Sequence, residues 1–180
     1  MNYALETRIR FLRTHGAGAM QHSGSNLLEH LLGTYTILRG WNAREALCDA
    51  GLFHSVYGTE SYQETAIPLK LREQTREIIG EEAEELAYFF GMMQRKVFRE
   101  NFELESDFRI RHRISGEQIP ITHRQFRDLV DIEVANGLEM VRRLPKEEQK
   151  RGEYLALYRS AAMTEARLDI DKFMGGIRRA

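Results

Sequence analysis

Cysteine is nearly missing from this chain: Cys48 is the only one in 180 residues. A single thiol cannot build an intramolecular disulfide framework, and within a helical pattern it reads as a buried thiol and not as a nucleophile. Proline is scarce as well, with three in the whole sequence, and no repeat, linker or low-complexity tract interrupts it. Long apolar runs are absent. None approaches the roughly 20 residues that span a bilayer, and the opening MNYALETRIRFLRTHG has no uninterrupted apolar core of the signal-peptide kind. A cytoplasmic location with no membrane partner is the expectation. An excess of charge of one sign is lacking too. The 26 Lys and Arg nearly balance the 27 Asp and Glu, for a formal net charge of −1. The basic FRIRHR (108–113) is offset by the acidic GEEAEEL (80–86), so nothing suggests nucleic acid as a partner.

What is present is a core. Hydrophobic residues make up 42% of the chain, enough for one domain over residues 1–180. Apolar residues recur at helical spacing through most of it. The pattern predicts a helix to about residue 14, another over about 25–39 (Leu27, Leu31, Tyr35, Leu38), and a third opened by Asn42 and closed near Gly58. Two short helices follow, divided by Gly80. FRIRHRISGEQIPIT (108–122) alternates instead, turns at SGE and resumes, which predicts a β-hairpin. Thr122 with Gln125 forms a capping box for a helix that runs to about residue 144, where Pro145 stops it. A final helix is expected over about 152–173. The predicted fold class is all-α, a single helical domain with one small β-hairpin.

The residues with chemical potential lie in SGSNLLEHLLGTYTILRGWNAREALCDAGLFHSVYGTE (23–60). Here His30 sits on one helix pattern and His54 follows 24 residues later. The order of Ser23-Gly24, then His30, an apolar helix and DAGLFHSVYGT resembles the hydrolase domain of Rel/SpoT-type alarmone enzymes, members of the HD superfamily of metal-dependent phosphohydrolases. The likeness covers about residues 20–95, including EIIGEEAEELAYFF (77–90). The chain also looks like a group of small HD-like proteins that keep His54-Ser55, then Tyr57-Gly58-Thr59, in place of the HD signature.

That resemblance implies an HD-like fold and a divalent metal (manganese, iron or zinc) that activates water against phosphorus. It places His30 and His54 among the metal ligands and Ser55 at the Asp position, where a neutral hydroxyl neither balances charge nor binds a hard cation well. Tyr57 and Gly58 replace a carboxylate pair that assists attack. The distant acid belongs to the 123–144 helix, where Asp131 and Glu133 compete. Glu133 falls within the apolar stripe of Phe126, Val130, Gly137, Val141 and Leu144, and Asp131 at its edge. A carboxylate on an apolar face is costly unless paired or metal-bound. His22, beside the Ser23-Gly24 turn, is the candidate for holding a ligand. Ser55, Tyr57 and Glu133 are the candidate catalytic groups, and His30, His54 and Asp131 the candidate metal ligands.

Two readings remain open. One is a His-lined pocket for a small, phosphorylated or nucleotide-like molecule, acting as an HD-type phosphohydrolase. The other is a binding or interaction module that kept the fold and lost the metal. Oligomeric state is not legible.

Overall fold

A computed structural model describes residues 3–22 and 24–177; Ser23, part of the quoted turn, lies outside them. The architecture is all-α, as predicted. Helix α1 (Tyr3–Thr14) leads into a two-residue ribbon, β1 (Gln21–His22) paired antiparallel with β2 (Ser25–Asn26). Asn26 then caps α2 (Leu27–Gly40), its side chain accepting from the Glu29 N–H at 3.0 Å. The chain reverses through Asn42, whose φ of 54° is one that Asn tolerates better than most residues. It enters α3 (Glu45–Phe53), buried from Leu47 to Phe53. The third helix therefore starts later than Asn42 predicts, at Arg44 without a side-chain cap.

Helices α2 and α3 pack closely because Gly51 leaves no Cβ to meet Leu38. Arg8 of α1 reaches the buried Asp49 of α3 at 2.6 Å, which fastens the first helix to the core. Next come α4 (Arg72–Ile79), α5 (Glu81–Met92), the short α6 (Arg95–Glu100) and the predicted hairpin. Its strands are β3 (Arg109–Arg111) and β4 (Gln118–Pro120), with Ile110 opposite Ile119. Helix α7 (His123–Arg143) follows, opened by the predicted capping box: the Gln125 N–H donates to Thr122 Oγ1 at 3.1 Å, and the Thr122 N–H donates to Gln125 Oε1 at 2.8 Å.

Helix α7 is the axis of the domain. It packs against α2, α3, α5 and the C-terminal segment, and residues on all its sides are buried. The core around it includes Leu31, Leu52, Phe53, Phe90, Val130 and Leu138, all 1% exposed or less.

The final helix differs from expectation. Residues 146–158 form a 3-10 run, and α8 spans Thr164–Ile177. The buried residues of that run are Gly152, Leu155 and Tyr158, every third position, which matches the three-residue turn of a 3-10 helix and not the 3.6 of an α-helix. Gly152 also lies where any Cβ would strike the Phe173 ring.

Asp131 ties this last layer to α7. Its Oδ1 accepts the Met163 N–H at 2.8 Å, just before α8 begins. Burial pushes its carboxyl up to about 7, against the Met163 N–H, which favours the charged form. A folded pKa above the unfolded one means the native state holds the extra proton between roughly pH 4 and 7. That stabilisation is full below the unfolded pKa and is lost as pH rises through 7. Asp131→Asn keeps an acceptor for Met163 and cannot ionise. Its melting temperature should exceed that of the wild type at pH 8 by the equivalent of up to about 4 kcal/mol, with the gap closing towards pH 4. A gap that does not change with pH would mean that Asp131 does not titrate in this window.

Candidate functional site

The β1–β2 ribbon, α2, α3 and α7 bring three imidazoles together. His22 stacks on His30 with ring centroids 4.1 Å apart, and His30 meets His54 edge-on with centroids 5.0 Å apart. His30 Nε2 and His54 Nε2 face each other at 3.0 Å. Each ring is held from behind. His54 Nδ1–H donates to the Gly51 carbonyl at 2.7 Å, and His30 Nδ1–H donates to Glu139 Oε2 at 2.5 Å. Arg143, one turn further along α7, pairs with the other Glu139 oxygen. Gly33 makes this possible, since a Cβ there would occupy the space of the Glu139 side chain.

With both Nδ1 atoms acting as donors, both Nε2 atoms carry lone pairs and point them at each other. Protonation does not relieve this. Desolvation, followed by the neighbouring His22, drives His30 down to about 3, and burial together with His30 drives His54 well below its ordinary value. His22 is lowered too, mainly by burial. Burial thus favours the neutral form of all three rings.

The residue that answers the lone pairs is Asn136, whose carboxamide lies 3.2 Å from His54 Nε2. Either end of an amide can face inward. With its NH2 turned to the histidines, Asn136 supplies two hydrogens for two acceptors, which an Asp could not do.

The candidate residues therefore separate. His30 and His54 form the cluster, and His22 covers it. Ser55 and Glu133 line an adjoining cleft of about 610 Å³, together with His22 and Asn136. Glu133 is taken up by Arg95, whose Nε donates to its two oxygens at 3.1 and 3.2 Å, while Tyr158 OH stands 3.5 Å away. Tyr57 and Asp131 are placed elsewhere. The Tyr57 hydroxyl donates to the fully buried Glu84 at 3.0 Å, and Asp131 serves Met163 from another side of α7. Asn136 and Glu139 go unread in the sequence. The available signal for Asn136 is its spacing from Glu133, three residues further on and so about 60° away on α7; Glu139, six residues on, falls about 120° away and carries no such signal.

The donor set does not fit the divalent ion that the HD likeness implies. Two imidazoles and a neutral carboxamide converge, and the position after His54 carries a hydroxyl. Glu139 touches His30 on its far side, with Arg143 on its other oxygen. Among the described residues no three His, Cys, Asp or Glu side chains are grouped to hold a metal.

Among the described residues, no helix is long and apolar enough to cross a membrane. Neither a curated protein nor a solved structure matches the chain. Residues 11–95 match a family model described as a domain of unknown function, DUF6817, a span that holds His22, His30, His54 and Ser55 but ends before Asn136 and Glu139.

Proposed function

We propose that this chain is a divergent HD-type domain that binds a small molecule in the cleft beside the histidine cluster, without a metal and without phosphohydrolase activity. The observation that carries this reading is Asn136 against the His30–His54 pair. An amide satisfies two neutral imidazoles by itself, whereas the hydrolase chemistry needs a carboxylate and an ion to activate water. A cleft of about 610 Å³ is within the range of small-molecule sites. The nearest precedent for its ligand is phosphorylated or nucleotide-like.

The competing reading is a metal-dependent phosphohydrolase with an altered ligand set, favoured by the two Nε2 atoms at 3.0 Å, a separation that neighbouring ligands of one ion can have. Two measurements decide between them. Elemental analysis of the purified protein should find no stoichiometric manganese, iron or zinc. Incubation with (p)ppGpp and manganese should show no turnover. A rate near about 1 per second, ordinary for an enzyme, would overturn the proposal.

A further inference from the structure

The floor and the mouth of the cleft differ in charge. The floor is His22, Asn136 and Ser55, with no lysine or arginine among them. His22 is 8% exposed, and its Nδ1 is buried without a hydrogen-bond partner. A buried ring nitrogen without a partner is left unsatisfied in the unliganded protein. The side wall is apolar, formed by Phe90, Met140 and Tyr154.

The mouth is built by α6, where Arg95, Lys96 and Arg99 face the cleft. Arg95 is committed. It neutralises Glu133, donates to the carbonyls of Phe90 and Met93 at 3.0 and 3.2 Å, and lies over the Phe90 ring at 4.3 Å. Lys96 and Arg99, one helical turn apart, are exposed. Lys96 has no ion pair among the described residues. Arg99 donates from Nε to Tyr158 OH at 3.1 Å and keeps its remaining donors. The lining holds two acids: Glu133, taken up by Arg95, and Glu60, which accepts the Arg95 backbone N–H at 3.0 Å.

We infer that the cleft takes an amphipathic organic anion bound acid-outward. A carboxylate or phosphate rests at Lys96 and Arg99, an aromatic or aliphatic body lies along Phe90, Met140 and Tyr154, and a neutral hydroxyl or amide reaches His22 on the floor. The inference rests on the reading that this cleft is the ligand site. Its physical reason is desolvation. An anion pushed to the floor would lose water beside buried side chains with no lysine or arginine among them, whereas at the mouth it keeps part of its water and gains two cations.

The probes are 3-(4-hydroxyphenyl)propionate and its uncharged primary amide, titrated at millimolar concentration into the full chain and followed by backbone amide shifts. The acid should bind about tenfold more tightly than the amide, with an advantage that shrinks as salt is added. Lys96→Ala/Arg99→Ala, two exposed positions that spare the fold, should abolish the acid's advantage and leave the amide unchanged. His22→Phe, which keeps the stacking ring, should weaken both probes alike. Equal binding of acid and amide, or an acid indifferent to the double substitution, would overturn the acid-outward arrangement while leaving the cleft as a ligand site. No shift at any cleft residue with either probe would reject the cleft itself.

Discussion

Ser55→Asp combined with Asn136→Asp should give a protein that zinc or manganese stabilises, where the wild type should respond to neither. The two substitutions place carboxylates beside His54, one from the following residue and one from α7 at the atom now 3.2 Å from its Nε2. Imidazole and carboxylate together hold divalent ions well, and the added negative charge offsets that of the ion. At a free concentration about a hundred times Kd, a ligand of the native state adds about 2.7 kcal/mol, which for a domain of this size raises the melting temperature by roughly 5–10 °C. Without metal the same variant should melt below the wild type, because two buried acids then lack a counter-charge. Ser55→Asp alone should gain little, since Asn136 still offers no charge. A double variant that melts low and ignores both metals would show that the cluster cannot be returned to an ion site. A wild type that already responds to metal would defeat the metal-free proposal.

Replacing both Arg72 and Arg76 by Ala should destabilise the domain by about 3–5 kcal/mol, the usual result of stranding a buried charge. Glu84 is fully buried. Its carboxylate takes Arg72 Nε at 2.6 Å, Arg72 Nη2 at 2.9 Å and Arg76 Nε at 3.1 Å, as well as the Tyr57 hydroxyl. Arg72 also lies over the Tyr88 ring at 3.5 Å. This cluster joins α4 to α5 and holds the turn after His54, which forms one wall of the cleft. Glu84→Gln should cost less in the wild type, because both guanidinium groups reach water when released. Added to the Arg72/Arg76 pair, it should restore part of the loss by removing the stranded charge. Thermal melts of the three variants would show this; a double-Arg variant within about 1 kcal/mol of the wild type would mean the cluster does little to hold the fold.

The helical frame was legible because its signals are local. Thr122 with Gln125, the apolar spacing of α2 and the alternation around Ile110 and Ile119 are each decided within a few residues. The meeting of His30 and His54 followed from the HD resemblance, which puts both among the ligands of one ion, and not from their spacing alone. The contribution of α7 was not. A one-sided stripe favours Glu133 over Asp131, but α7 is buried on all sides, so both acids are interior and phase cannot rank them. Glu133 is matched by Arg95, a partner 38 residues away that no periodicity reveals. Asn136 carries no sequence signal because a neutral amide does not belong to the vocabulary of metal sites, although it is what two neutral imidazoles require. Residues 152–158 read as the start of the last α-helix because a period of three and one of 3.6 differ little over three buried positions.

His30 is 109 residues from Glu139, and His54 is 82 from Asn136. A chain emerging from the ribosome therefore makes its two apposed histidines long before it makes the groups that satisfy them, and domains fold broadly from the N-terminal side during synthesis. Until α7 docks, the nascent N-terminal half carries polar rings that favour water over burial. The cluster then acts as a check on completion: the α2–α3 pair gains its final stability only when the correct face of α7 arrives. A slipped α7, turned by one residue, would present Gly137 or Ala135 to His54 and leave the lone pairs unanswered. Contacts this distant in sequence slow folding, and here they also make the last step selective for register.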